Sequence, residues 1–191
     1  MSGTKTLNAK LVGATSLLVS NGRLANPLDS YAKRMKEVQA IKKKTDDVYA
    51  QLADLEWEAS LYYDPKIGPF LPFQNIFGAL KETATMDRVK PKIQAGIVLR
   101  FAPMPINYSG PREIESLRCD SAFRSSFMVQ TKSGRILVTK PKFEQWSIDV
   151  SIEYMPEILN ERDVHNLLVK AGKFKGIGAS RKWGYGRFEV A

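Results

Sequence analysis

Apolar and polar positions change their period several times along this chain, and each change predicts an element. From Thr6 to Val19 ("TLNAKLVGATSLLV") the alternation is partial, and it predicts a first strand that ends at the Asn21-Gly22 turn signal. In residues 31–60 the spacing becomes three and four: Tyr31, Met35 and Val38, then Val48, Leu52, Leu55 and Ala59. That is the stripe of an amphipathic helix. Thr45 followed by Asp46 and Asp47 reads as a fresh helix start, with acids at the positive end of the dipole. Two helices, or one helix bent near Thr45, both satisfy the pattern.

"DPKIGPFLPF" (64–73) reads as a Pro/Gly loop, "QNIFGALKETATM" (74–86) as a short helix and "KIQAGIVLRF" (92–101) as a strand. Residues 102–122, rich in Pro, Ser and charge, predict an irregular loop or insertion. "SSFMVQTKSGRILVTK" predicts a hairpin with Ser133-Gly134 at its turn. "WSIDVSIEYM" sets Ile148, Val150, Ile152 and Tyr154 on one face and Ser147, Asp149, Ser151 and Glu153 on the other, which predicts a strand that Pro156 stops. Asn160 is a suitable N-cap for "ERDVHNLLVKAG", with Gly172 as its stop, and "RFEV" predicts a last strand. Without the insertions the order is β-α-β-β-α-β, the order of an α+β, ferredoxin-like (RRM-like) core. The expectation is a single domain over residues 1–191, decorated by a helical insertion at 31–60 and a loop and hairpin at 102–140.

Charge changes the picture from fold to partners. The 191 residues carry a formal net charge of +9, and the excess is local: residues 88–145 hold eleven Lys/Arg against four Asp/Glu, and residues 160–191 hold seven against three. Such a balance favours polyanionic partners. The single cysteine, Cys119, allows neither an internal disulfide nor a cysteine-based metal site, and the single histidine, His165, adds no ligand cluster. Asp46, Asp47, Asp54, Glu56 and Glu58 alternate around a helix rather than converge, so they read as a solvated face and not as a cation site. Neither a metal nor a cofactor is expected. No stretch approaches the ~20 apolar residues of a membrane helix, and "LVGATSLLV" is too short and interrupted for a signal segment, so the expectation is a cytoplasmic protein.

The densest chemistry lies in "KFKGIGASRKWGYGRFEV" (173–190). Gly176, Gly178, Gly184 and Gly186 follow a helix and open a strand, the reverse of a dinucleotide-binding fingerprint, and no Walker lysine pattern is present. What remains is a flexible backbone bearing Lys173, Lys175, Arg181, Lys182 and Arg187, a combination suited to a phosphate chain. Trp183 and Tyr185 offer rings for stacking on bases or for anchoring the core. A tight turn whose glycines permit close packing on a sheet explains the same residues equally well. Further candidates are Arg23, and Arg135, Lys140 and Lys142 beside Phe143 and Trp146, a basic-aromatic mix suited to single strands. Arg112, Arg118 and Arg124 lie at six-residue intervals and would line a backbone groove or a solvated insertion; Lys42 to Lys44 read as a solvated charge run.

"GIGASRKWGYGRFEV" preceded by a helix resembles the C-terminal glycine-rich loop and strand of the RAMP superfamily (repeat-associated mysterious proteins) of CRISPR systems. "LVGATSLLVSNG" resembles the opening strand and turn of that superfamily. "DPKIGPFLPFQNIFGALKETA" resembles its Asp-Pro segment and helix start, with Gly78, Ala79 and Leu80 in the motif positions. The resemblance spans roughly residues 6–30, 61–100 and 145–191. It implies a backbone subunit of a multi-subunit ribonucleoprotein, gripping single-stranded guide RNA and contacting other copies of itself and other effector subunits. In its target-cleaving branch an aspartate stands in a segment resembling "GIDNPV"; here "GRLANPL" puts Ala25 at that place, with Asp29 four residues on, which implies binding without cutting. A second branch, the guide-processing endoribonucleases, would make His165 a general acid or base. A structural or assembly protein, of viral or host origin, that has borrowed the fold is the third reading.

Overall fold

A computed structural model describes residues 3–100, 102–131 and 134–191. The chain is α+β, with antiparallel sheets. In order come β1 (Lys5–Gly13), β2 (Leu17–Leu18), α1 (Ser30–Ala40), α2 (Asp46–Ser60), β3 (Tyr63–Asp64) and β4 (Gly68–Pro72). Then follow α3 (Gln74–Met86), α4 (Lys90–Gly96), β5 (Ile97–Val98), β6 (Pro103–Pro105) and α5 (Ile114–Cys119). The last elements are β7 (Arg124–Thr131), β8 (Gly134–Phe143), β9 (Ser147–Tyr154), α6 (Glu161–Phe174) and β10 (Phe188–Val190). No helix among the described residues is long and apolar enough to cross a membrane.

The chain divides into two compact units. The first comprises Met1–Leu17, Phe70–Ser109 and Glu144–Ala191; the second comprises Leu18–Pro69 and Gly110–Phe143.

The first unit is built on a four-stranded sheet of order β10-β1-β9-β5, every neighbouring pair antiparallel. Its register follows from the period of two: Leu7 lies opposite Ile152 and Leu11 opposite Ile148, so the apolar halves of β1 and β9 share one face. α3 packs on α6, and α6 packs on β1 and β10. Ile76, Ala79, Leu80 and Ala84 of α3 and Val164, Leu167, Leu168 and Ala171 of α6 are buried with Leu7, Leu11, Ile148, Val150, Ile152, Tyr154 and Phe188 of the sheet. Each large side chain so buried contributes about 1.5–3 kcal/mol, which offsets the cost of ordering the chain. Asn160 caps α6 as expected, its side chain accepting from the N–H of Asp163 at 2.8 Å.

The second unit is built on the β7–β8 hairpin, with β2 beside β8. α2 lies across β8 and α1 packs on α2. Trp57 is fully buried, and its Nε1–H donates to the carbonyl of Phe123 at 2.9 Å. Phe123 in turn meets the Phe143 ring at 5.8 Å between centroids. Of the two readings of residues 31–60, the structure has two helices, separated by Ile41–Thr45. Lys44 explains the break: its ammonium donates to the carbonyls of Val38 and Gln39, at 3.1 and 2.7 Å, closing the end of α1. That lysine is a capping residue and not part of a solvated run.

Several expected elements differ. The first strand stops at Gly13 rather than Val19. The Trp146 indole lies where a Gly13 side chain would be, within 2.3 Å of an ideal Cβ, and the Gly13 N–H bonds Trp146 O. Residues 64–73 are not a loop: β3 and β4 pair across a tight turn, in which Asp64 Oδ1 accepts from Lys66 N–H and Gly68 takes φ +77°. Of residues 92–101, expected as a strand, 92–96 are the end of α4 and Ile97–Val98 alone is strand; Phe101 lies outside the described residues. Pro91 lies in the first turn of α4, Ile93 of the helix and Ile97 of β5 are both buried, and Gly96 passes against Leu159. Gly172 does not stop α6. It is buried within the helix because Phe188 O would lie 2.2 Å from any Cβ there. Residues 102–122 hold the short β6 and α5. The hairpin forms as expected, but Gly134, expected in its turn, opens β8 opposite Thr131, and Ser133 lies outside the described residues.

Candidate nucleic-acid interface

The stop of α6 is chemical. The N–H groups of Lys175 and Gly176 both bond the carbonyl of Ala171, at 2.9 and 2.8 Å, and Gly176 turns left-handed at φ +71°. Gly178, Ser180, Gly184 and Gly186 are left-handed too, at φ +77°, +54°, +88° and +70°. The loop they form is sewn to itself and to the end of β1. Ile177 N–H donates to Gly186 O (2.9 Å) and Gly186 N–H to Ser16 O (2.8 Å). The Thr15 hydroxyl donates to Gly184 O (2.8 Å) and accepts from Arg187 N–H (3.0 Å). A Cβ on Gly176 would lie 2.7 Å from Gly186 O, and one on Gly186 would lie 1.9 Å from Ile177 O. Close packing therefore accounts for Gly176 and Gly186. It does not account for the N–H groups of Gly178, Ala179 and Ser180, which meet no acceptor among the described residues.

The cations around this loop separate into two kinds. Arg181 is clamped by Glu82, through two hydrogen bonds of 2.8 and 3.2 Å, so one of the five loop cations expected to suit a phosphate chain is already paired within its own unit. Lys173 and Lys182 are exposed and Lys175 is half-buried, with no ion pair among the described residues. Lys182 Nζ stands 5.3 Å from the ring centre of Trp183, which is 71% exposed; Tyr185 is half-buried. The Arg187 guanidinium keeps Nη1 buried without a partner.

The open face of the four-stranded sheet contributes little that could stack on bases. Cross-strand pairs there are Thr6 with Glu153, Asn8 with Ser151, Lys10 with Asp149 and Val12 with Ser147. Ser151 donates to Asn8 at 2.7 Å, and Arg100 pairs with Glu153, holding its carboxyl below the usual range. Acids and short polar groups on this face disfavour a phosphate chain laid across it.

In the second unit most candidate cations are engaged. Arg23 bonds Asp29 at 3.0 Å and its guanidinium lies 4.4 Å from the Tyr31 ring centre. Lys140 meets Glu56 at 3.2 Å and Ser60 Oγ at 2.9 Å. Arg118 bridges Asp54 and Glu58, and Arg124 bonds Asp54 at 2.7 Å. Asp54, Glu56 and Glu58 of α2 are thus not part of a solvated face, whereas Asp46 and Asp47 are exposed as expected; Arg118 and Arg124 do not line a groove, being neutralised by acids within the unit. Glu56 also accepts from the N–H of Thr139 at 2.8 Å. Arg135 is exposed, and Lys142 is half-buried. The aromatic partners expected beside them are core residues instead, Phe143 being 0% and Trp146 4% exposed.

His165 is exposed on α6, between the buried Val164 and Leu167. Ala25 ends a short 3-10 turn, Gly22–Ala25, and Asp29 caps α1. The Tyr31 N–H bonded to Asp29, and then Arg23, hold its carboxyl below the usual carboxylate range. A depressed carboxylate contributes stability above its unfolded value, and that stability is lost as pH falls through the folded value. Asp29→Ala is therefore expected to melt lower than the parent near neutral pH, with the gap closing below pH ~3.9. Asp29→Asn, which still accepts from Tyr31 N–H, should keep most of the cap. Melting curves across that range check both; a gap constant with pH would remove the capping account.

Two residues that hold this loop carry no mark in the sequence. Glu82 lies 99 positions from Arg181, and Thr15 lies 169 positions from Gly184. No family model matches this chain, and no curated protein matches it.

Proposed function

We propose that this protein binds single-stranded RNA through its sugar-phosphate chain, without cleaving it, as a RAMP-like backbone subunit of a CRISPR-type ribonucleoprotein. The observation that carries the reading is the loop between α6 and β10. It combines free backbone N–H groups at Gly178 to Ser180, unpaired cations at Lys173, Lys175 and Lys182, and an exposed Trp183, all among the described residues. N–H groups and ammonium groups take phosphate oxygens, and an exposed indole takes a base face of any identity. The sheet supports the fold half of the proposal. Numbered within the β-α-β-β-α-β order, β10-β1-β9-β5 is the 4-1-3-2 order of a ferredoxin-like sheet, with α3 and α6 as its two helices. Ala25 at the place of the cleaving aspartate, and Asp29 committed to a helix cap, favour binding alone.

The test is an electrophoretic shift with single-stranded RNA at ~50 mM salt, where phosphate contacts are strongest. Retardation of RNAs of unrelated sequence with similar affinity is expected, with the RNA intact afterwards. Absence of any shift at that salt would end the proposal, and cleaved RNA would end its second half.

A further inference from the structure

β7 is the outer strand of the β2-β8-β7 sheet, and the backbones of Ser126 and Met128 on its open side meet no partner among the described residues. Which residues present that edge follows from β8. The N–H of Thr139 donates to Glu56 and the carbonyl of Pro141 accepts from Val19, so both groups point away from β7. Thr139 lies opposite Ser126 and Leu137 opposite Met128. In an antiparallel ladder these alternate pairs exchange no hydrogen bonds, so Ser126 and Met128 turn their own N–H and C=O outward.

Natural edge strands are protected by charge, proline, bulges or shortness. Ser125 to Gln130 carries no charge, no proline and no glycine, and β7 runs eight residues. Met128 is 57% exposed, and Leu137 opposite it on β8 is 61% exposed. The one cation at the start of the strand, Arg124, is already neutralised by Asp54. Two copies of a chain with net charge +9 repel at a distance, but at this edge they meet without a like-charge pair.

We propose that β7 pairs antiparallel with β7 of a second copy, joining two hairpins into one continuous sheet about a two-fold axis. The outward groups restrict which residues bond across the seam, and the register proposed is the one centred on Phe127. Ser126 exchanges two hydrogen bonds with Met128 of the other copy, and Met128 two with its Ser126. Phe127 then faces its own counterpart across the axis in a non-hydrogen-bonded pair, where side chains approach closest and aromatic pairs are favourable. Such an interface is closed, two copies and no more. It goes beyond RNA binding and needs no nucleic acid.

The experiment is sedimentation of nuclease-treated full-length protein over a concentration series, beside Met128→Pro and Met128→Lys. Met128→Pro removes an outward N–H that β8 does not use, so the hairpin ladder stays intact while pairing between copies is lost. Melting curves show that each variant is folded. A dimer is expected for the parent, with self-association at least ~10-fold weaker in both variants. In a Cys119→Ser background, Phe127→Cys should form a disulfide-linked dimer under a mild oxidant, because only the stated register brings residue 127 to itself. A parent that stays monomeric up to ~100 µM, far above the range of specific dimers, overturns the proposal. So does a dimer that persists in the folded proline variant, or a Phe127→Cys protein that does not cross-link.

Discussion

Gly186→Ala is expected to lower the melting temperature by roughly 6–12 °C. That range combines about 3 kcal/mol for a left-handed non-glycine residue and its overpacking with about 2–4 °C per kcal/mol for a chain of this size. Gly186 is at φ +70°, and its new Cβ would lie 1.9 Å from Ile177 O. The backbone has no easy way to yield, because Gly186 O holds Ile177 N–H and Gly186 N–H holds Ser16 O. Gly184→Ala is the natural comparison. It shares the left-handed φ of +88°, but nothing lies within 4 Å of its added Cβ, so it should cost only about 1–2 kcal/mol. Thermal unfolding of the two variants separates strain from collision. Equal melting temperatures would mean the loop is not closed as described.

Lys175→Ala with Lys182→Ala is expected to weaken single-stranded RNA binding by ~10-fold or more at low salt. The slope of log K against log salt should flatten by about 1.4, which is about 0.7 for each of two single-strand phosphates left without its lysine. The weakening should be similar for every sequence, since phosphate contacts carry no base information. Arg181→Ala should do less, because Glu82 already holds that guanidinium. Trp183→Ala should cost about 1–3 kcal/mol with the salt slope unchanged, since stacking releases no counterions. Titrations at three salt concentrations distinguish the outcomes. If the double lysine variant binds RNA with the parental slope, this loop is not where phosphate is held.

Elements whose period is long and uninterrupted were legible from the chain itself. β9 alternates without a break from Ser147 to Tyr154, and α6 carries its own cap and stripe, so local preference and burial agree. Residues 92–101 misled in part because Ile93, Ile97 and Val98 serve either period: the chain is helix up to Gly96, and only Ile97–Val98 pairs as a strand with β9. Gly172 misled because glycine stops helices, yet here it lets α6 approach the backbone of β10. The candidate site was legible as composition and not as geometry. Nothing near Arg181 announces Glu82, and nothing near Arg118 or Arg124 announces Asp54.

By itself the sequence determined where strands and helices of clear period lie, the net charge, and the run of glycines and cations between the last helix and strand. These are properties of neighbours in the chain, governed by dihedral preference and side-chain period. Only the tertiary structure decided which cations remain unpaired, which aromatics are core, and which glycines are required by close approach. Those depend on residues far apart in the chain meeting within hydrogen-bond distance, and an ion pair leaves no periodic trace in either partner.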